Sequence, residues 1–204
     1  MNIRNIAVLV SGRGSNMQAI IDNIENGVIP NASITVVFSD VGSTYALERA
    51  QNHGIDTFFV NPEQYENKES YEKEILRNLE KYDIDLILLA GYMRVVGPTL
   101  LNPYRNKMLN IHPALLPSFP GLHAQKQAFD HGVRVSGCTV HFVDDCVDTG
   151  PIIIQKCVPV LDDDTEETLA ARILEQEHKI FPEAVRLFVQ GQLRIEGRKV
   201  RILK

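Results

Sequence analysis

The sequence contains no tryptophan and only three cysteines, Cys138, Cys146 and Cys157, among its 204 residues. A small and odd number of cysteines in a chain of this length argues against a disulfide framework, so we expect reduced thiols and a cytoplasmic location. We expect no signal peptide, because the first residues lack an apolar segment after a basic stretch. The apolar runs are also too short to span a bilayer, so no membrane association is expected.

Clustered positive charge is missing as well: the formal net charge is −5, and no long run of lysine and arginine occurs. Nucleic-acid-binding surfaces normally carry such clusters, because contacts to phosphates supply much of their affinity. Paired metal-binding spacings such as Cys-x-x-Cys are absent too. Cys138 and His141 would face opposite sides of a predicted strand, since side chains alternate there. We therefore expect neither a nucleic-acid partner nor a metal.

What the sequence does contain is an alternation of short apolar runs and amphipathic segments. Strands are predicted at residues 5–10, 34–38, 57–60, 86–89 and 108–111, and helices at 16–26, 44–53 and 67–81. Such alternation predicts an α/β fold with a mostly parallel, twisted sheet and helices on both faces. We find no internal repeat and no linker, so a single domain is expected.

The pattern changes after about Ser136. Residues 136–143 and 152–160 are successive strand candidates with no helix between them, which predicts an antiparallel portion of the sheet in the C-terminal half. A long helix should start at Asp164, with Glu167 completing a capping box, and Pro182 should kink or interrupt it near Phe181. Residues 193–202 should form a terminal hairpin.

A glycine-containing loop, residues 11–16 (Ser-Gly-Arg-Gly-Ser-Asn), follows the first predicted strand and precedes a helix. The first N–H groups of a helix attract anions, and glycine lets a phosphate approach the backbone closely. The loop lacks the lysine of a P-loop, and Met17 replaces the third glycine of a dinucleotide fingerprint. Asp40, at the end of the second strand, nevertheless imitates the acidic residue that binds a ribose. We predict a phosphate site, and dinucleotide binding stays open as an alternative.

Two polar side chains, Asn110 and His112, stand at the end of an otherwise apolar strand. They are two positions apart and therefore share a face of the strand. Ligands in open α/β sheets bind at the carboxyl ends of strands. An Asn amide can donate a hydrogen bond to an oxyanion, and an imidazole can transfer a proton near neutral pH. The pair therefore indicates catalysis through a tetrahedral intermediate.

A third candidate, Asp148, precedes Thr149-Gly150-Pro151 at the start of the next strand. A carboxylate beside His112 would favour the imidazolium form and fix the orientation of the ring. We expect Asp148 to lie near His112, although the spacing of the two residues does not itself require this.

Together these segments resemble the folate-dependent formyltransferase family. The resemblance covers nearly the whole chain and is carried by residues 11–16, 89–94, 110–113, 116–121 and 137–150. It implies a Rossmann-like formyltransferase fold. A phosphate-binding half would span about residues 1–105, and a catalytic and folate-binding half about residues 106–204.

The resemblance also implies a reaction. A formyl group would pass from 10-formyltetrahydrofolate to the amine of glycinamide ribonucleotide, giving formylglycinamide ribonucleotide and tetrahydrofolate in de novo purine synthesis. Asn110 would stabilise the oxyanion, His112 would donate a proton, and Asp148 would raise the pKa of His112 and help to order a water. The other implied contacts are Gly14, Ser15, Asn16 and Glu177 for the ribonucleotide and its phosphate, and Lys68, Met93, Arg94, Val95, Val96 and Asn110 for the folate. The partners would be these small molecules, in a monomer or a homodimer.

Two other interpretations stay open, and a third is not expected. Another formyl-folate enzyme, either a hydrolase or one with a different amine acceptor, would keep the same Asn-His-Asp set, although a hydrolase needs no phosphate loop. A formyltransferase acting on methionyl-tRNA would carry a further C-terminal domain and a basic surface, which we do not expect here. A non-catalytic nucleotide-binding module would leave Asn110, His112 and Asp148 without a role.

Overall fold

The structure, a computed structural model, describes residues 3–203. The contacts within the chain group it into two compact units, one ending at Leu109 and the other beginning at Asn110. This division lies close to the boundary expected between a phosphate-binding and a catalytic half. The interpretation of the chain as a single domain stays a prediction.

Strands and helices alternate along the described residues much as the sequence predicts. The strands are β1 Arg4–Val10, β2 Ala32–Ser39, β3 Asp56–Phe59, β4 Leu86–Leu89, β5 Met108–His112, β6 Val135–Phe142, β7 Ile152–Pro159, β8 Leu193–Glu196 and β9 Lys199–Ile202. The helices are α1 Ser15–Glu25, α2 Tyr45–Asn52, α3 Lys68–Leu79, α4 Pro98–Leu101, α5 Ala124–His131 and α6 Glu166–Val189.

The first unit is built on parallel strands in the order β3-β2-β1-β4. β1 has a partner on each side, so that Val8 pairs with Val37 of β2 and with Leu88 of β4. Residues 6–10 of β1 are completely buried. This explains the unbroken apolar run of β1, since a strand covered on both faces has no solvent-facing positions to fill with polar residues.

The second unit contains the antiparallel part of the fold. β6 and β7 pair in antiparallel fashion, β8 and β9 form an antiparallel hairpin, and β9 lies beside β7. α6 packs on β6 and β7 and buries an apolar face that includes Leu169, Ile173 and Phe181. The predicted fold class is therefore confirmed, including the antiparallel portion and the terminal hairpin.

The predicted start of α6 and its predicted interruption both need correction. The helix begins after Thr165, whose capping box is completed by Thr168, and not after Asp164 with Glu167. The helix also continues through Pro182 to Val189, so the predicted interruption is wrong, while a kink near Phe181 stays a prediction. Proline in a helix interior costs about 3 kcal/mol. Pro182 is buried on the apolar face of α6 together with Phe181 and Val185, and we attribute the continuity of the helix to the burial of this face, because each large buried apolar side chain contributes about 1.5–3 kcal/mol.

The remaining expectations concern the thiols, membrane association and metal binding. Cys138 is buried, Cys146 and Cys157 are exposed, and all three are free thiols. Between residues 3 and 203, none of the helices combines the length and the apolar character that a membrane crossing requires. Within the same residues, no group of three or more His, Cys, Asp or Glu side chains is arranged to hold a metal ion. The cytoplasmic location stays a prediction.

Candidate active site

The end of β5 brings the three predicted catalytic side chains together. Met108, Leu109 and Ile111 are buried in the core, while Asn110 and His112 both reach Asp148. The amide nitrogen of Asn110 lies 3.3 Å from Oδ1 of Asp148. Nδ1 of His112 lies 3.3 Å from Oδ2 of the same carboxylate. Because side chains alternate along β5, Asn110 and His112 lie on the same face, as predicted. The loop after β6 supplies Asp148, which both side chains contact.

Asp148 lies in the loop between β6 and β7, in a left-handed backbone conformation with φ of 54°. Its Oδ2 accepts a hydrogen bond of 2.8 Å from the amide of Gly121. Burial opposes ionisation, but the hydrogen bonds from His141 and Gly121, with the charge of His112, outweigh it and lower the pKa of Asp148 below its ordinary value. Asp148 is therefore a carboxylate at neutral pH.

His112 is only 4% exposed, and both of its ring nitrogens face acceptors. Nε2 lies 2.8 Å from the carbonyl oxygen of Phe119, and Nδ1 faces Asp148. Burial lowers the pKa of His112, while the charge of Asp148 and the Phe119 carbonyl act in the opposite direction. The implied effect of Asp148, which is to raise the pKa of His112, has the expected direction, and burial of the ring outweighs it.

A further histidine, His141 of β6, belongs to the same cluster. It is 2% exposed, and its Nε2 lies 3.2 Å from the amide nitrogen of Asn110 and 3.5 Å from Oδ1 of Asp148. Its Nδ1 lies 2.8 Å from the carbonyl oxygen of Phe142. Sequence reasoning considered His141 only as a metal ligand. Its position in an apolar strand that leads directly into the Asp148 loop was the signal that could have identified it.

The glycine loop is held in shape within the first unit. Gly14 adopts φ of +70°, and a Cβ there would lie 2.7 Å from Cβ of Ala46, so only glycine fits. The amide of Ala46 donates to the Gly12 carbonyl at 3.2 Å, and Nε of Arg49 donates to the Arg13 carbonyl at 3.2 Å.

The helix that follows this loop begins without a side-chain cap. α1 starts at Ser15, and Gly14 at its N-cap position has no side chain to offer. Ser15 and Asn16 occupy the first turn, where backbone N–H groups lack intrahelical partners. A helix start of this kind, preceded by a braced glycine loop, is suited to an anion such as phosphate.

A cavity of about 480 Å³ lies in the first unit and is lined in part by residues expected to contact folate. Its lining includes Lys68, Met93, Arg94 and Val95 together with Pro62, Tyr65, Asn67, Tyr71, Glu72 and Tyr92. Val96 is buried and is not part of this lining. The structure therefore brings Met93, Arg94 and Val95 together with Lys68, whose match to the family lay outside the quoted motifs.

Asp40 forms an ion pair with Arg94. Nε of Arg94 lies 2.9 Å from Oδ2 of Asp40, and its guanidinium carbon lies 5.7 Å from the centre of the Tyr71 ring. One oxygen of Asp40 is thus engaged by a cation of the same unit. This contact weakens the comparison of Asp40 with a ribose-binding carboxylate, because a ribose would have to compete with Arg94.

Glu177 is a buried residue of α6, with 5% exposure, and not a solvated helix charge. Burial, with a further contribution from the charge of Glu177, raises the pKa of the Cys138 thiol to about 12. The contact of Glu177 with a ribonucleotide stays a prediction.

Comparison with known proteins gives the family. A family model described as formyl transferase matches residues 4–185. The chain belongs to the formyl transferase family. The phosphoribosylglycinamide formyltransferase of Escherichia coli (strain K12) is 41% identical over 94% of this chain and 90% of its own length. The crystal structure of glycinamide ribonucleotide transformylase 1 from Symbiobacterium toebii has a TM-score of 0.97 and 51% identity, covering 99% of this chain and 95% of that one.

Relatives of this formyl transferase differ greatly in length. The trifunctional purine biosynthetic protein adenosine-3 of Drosophila melanogaster is 44% identical over 92% of this chain. This chain spans only 14% of that relative, and 14% of the corresponding protein of Drosophila pseudoobscura pseudoobscura. The family and the fold class predicted from the sequence are both confirmed.

Proposed function

We propose that this formyl transferase moves the formyl group of 10-formyltetrahydrofolate to the amine of glycinamide ribonucleotide, in de novo purine synthesis. The observation that carries the proposal is the cluster of Asn110, His112 and Asp148, which joins an amide donor, an imidazole and a carboxylate at one partly buried site. The names of the Escherichia coli and Symbiobacterium toebii relatives support the choice of acceptor. The braced glycine loop supports an acceptor that carries a phosphate.

In the proposed reaction the amine of the ribonucleotide attacks the formyl carbon and forms a tetrahedral intermediate. The amide of Asn110 would stabilise its oxyanion. In the structure this amide lies 3.2 Å from His141 and 3.3 Å from Asp148, longer than the usual hydrogen-bond distance of about 2.9 Å. The proposed reaction would require this amide to exchange one of these contacts for a bond to the oxyanion.

Collapse of the intermediate breaks the bond between the formyl carbon and the folate nitrogen, which leaves well only when it is protonated. The attacking amine loses one proton in the same sequence, and this proton would restore the protonated form of His112 after it has acted as an acid. His112, in its protonated form, would supply the proton to the folate nitrogen directly or through a water that Asp148 helps to order. Burial, which lowers the pKa of His112, makes the imidazolium a stronger acid, and the charge of Asp148 partly opposes this by favouring the protonated ring.

The remaining assignments concern binding. We assign the phosphate to the loop and helix start at Gly14, Ser15 and Asn16, and the ribonucleotide also to Glu177. The folate would bind at Lys68, Met93, Arg94, Val95 and Val96, and also at Asn110. No metal takes part in the proposed reaction, and the protein would act as a monomer or a homodimer.

The test is deformylation followed by absorbance. Purified protein is mixed with 10-formyltetrahydrofolate or its dideaza analogue, with and without glycinamide ribonucleotide. We expect folate product to appear only when the ribonucleotide is present. Deformylation without it would instead indicate a hydrolase or another acceptor, and no reaction by folded protein would refute the proposal.

A further inference from the structure

The loop that carries Asp148 is short and is closed by hydrogen bonds among its own residues. Oδ1 of Asp144 accepts hydrogen bonds from the hydroxyl of Thr149 at 2.6 Å and from the amide of Cys146 at 3.3 Å. At the end of the loop, Gly150 passes so close to Phe142 that a Cβ would lie 1.8 Å from the Phe142 carbonyl oxygen. The path of the backbone on both sides of Asp148 is therefore tightly determined.

A second element reaches this loop from far along the chain. The hairpin of β8 and β9 turns at Gly197, and Lys199 of β9 pairs with Ile152 of β7, just after the loop. Arg198, the second residue of this turn, donates a hydrogen bond of 2.9 Å from Nη2 to the carbonyl oxygen of Thr149. The hairpin thus holds the residue that directly follows Asp148.

We propose that Arg198 is a positioning residue for Asp148, acting through the carbonyl of Thr149. The side chain of Arg198 is exposed, so its contribution to core packing is small. Its contact fixes the Thr149–Gly150 peptide group, one residue after Asp148. The left-handed backbone conformation of Asp148 is unfavourable for a non-glycine side chain. The consequence for turnover rests on the proposed function, whereas the effect on the position of the Asp148 carboxylate does not.

The position of that carboxylate has a direct spectroscopic reporter. Oδ2 of Asp148 accepts the amide hydrogen of Gly121 at 2.8 Å. If the Thr149 carbonyl is released, Asp148 gains freedom and this hydrogen bond opens more often. The exchange rate of the Gly121 amide with solvent, measured by NMR, then rises even in a protein to which no substrate is added.

The experiment compares Arg198→Ala with Arg198→Lys and Arg201→Ala. Arg201 lies on the same hairpin but pairs with Glu196, so Arg201→Ala removes an exposed arginine without touching the loop. We expect Arg198→Ala to raise Gly121 amide exchange and to lower kcat, each by about tenfold, the loss that corresponds to one charge-assisted hydrogen bond. The KM for glycinamide ribonucleotide should stay within about twofold, since the hydrogen bond supports the chemistry rather than binding.

The variants separate positioning from general damage to the hairpin. Arg198→Lys, which keeps a cationic donor, should recover part of both losses, and Arg201→Ala should match the unmodified protein. Unchanged Gly121 exchange in folded Arg198→Ala would overturn the proposal, as would equal effects of Arg201→Ala. If the unmodified protein transfers no formyl group, the proposed function fails, but the Gly121 measurement still decides the role of Arg198.

Discussion

Asn110 and His112 both contact the Asp148 carboxylate, but the proposed reaction gives them different roles: Asn110 stabilises the oxyanion and His112 donates a proton. Each replacement by alanine should lower kcat by about 10²–10³, the usual effect of losing an oxyanion donor or a positioned acid. Binding of glycinamide ribonucleotide, measured by calorimetry, should change little, because the proposed phosphate contacts lie in the glycine loop. His53→Ala, which removes an exposed histidine paired with Glu25, is the control. A kcat near that of the control would contradict both roles.

Gly14 is the residue whose replacement should damage binding rather than chemistry. Gly14→Ala introduces a left-handed alanine, which costs about 1–2 kcal/mol, and also a Cβ that collides with Ala46. Gly27 has nearly the same φ, +73°, but open space around it, so Gly27→Ala measures the backbone cost alone. In urea unfolding, we expect Gly14→Ala to lose more free energy of unfolding than Gly27→Ala. Equal losses would show that the loop tolerates the Cβ.

Phosphate affinity gives the second measurement on these two variants. We expect Gly14→Ala to weaken binding of glycinamide ribonucleotide and Gly27→Ala to leave it unchanged, because only Gly14 shapes the start of α1. Retained affinity in Gly14→Ala would remove the glycine loop from the binding site.

At the scale of elements, the start of α6 depends on an ion pair. Arg172 binds the carboxylate of Asp164 through two nitrogens, at 2.7 and 2.6 Å, and Oδ2 of Asp164 also accepts from the amide of Leu161. The hydrogen bonds from Arg172 and then from Leu161 hold the pKa of Asp164 well below its usual range. A carboxylate with a lowered folded pKa stabilises the protein above its unfolded pKa, and this stabilisation is lost as the pH falls through the folded pKa.

Asp164→Asn should therefore lower the free energy of unfolding at pH 7. The difference from the unmodified protein should narrow as the pH falls below about 4, the ordinary value for an aspartate in the unfolded chain. Asp163→Asn removes the same charge from the neighbouring position and leaves the partner of Arg172 in place, so it serves as the control in urea titrations at each pH. A difference that does not depend on pH would refute this account of the pair.

At the scale of the whole molecule, a ligand that binds only the folded chain adds to its stability. Glycinamide ribonucleotide at about one hundred times its Kd should add about 2.7 kcal/mol to the free energy of unfolding. His112→Ala should keep this gain, and Gly14→Ala should lose most of it. A dinucleotide should give none, whereas stabilisation by a dinucleotide and not by the ribonucleotide would favour the nucleotide-binding module. Thermal unfolding with each ligand distinguishes these cases.

The sequence by itself determined the features that depend on neighbouring residues. The apolar run of β1, the glycine loop and the start of α1 follow from local burial patterns and turn chemistry, and they lie where the sequence predicts. Alternation along β5 likewise determined that Asn110 and His112 share a face. The family resemblance, which depends on such local motifs, was confirmed for the same reason.

Only the tertiary structure decided which distant residues meet. Asn110 and Asp148 are 38 positions apart, and Arg94 and Asp40 are 54 apart, so no local rule predicts their contacts. The balance between burial and charge at His112 also depends on everything packed around the ring, so the sequence indicated the effect of Asp148 on its pKa but not the opposing effect of burial. The continuity of α6 through Pro182 has the same origin, because a local penalty was outweighed by packing that the neighbouring residues do not reveal.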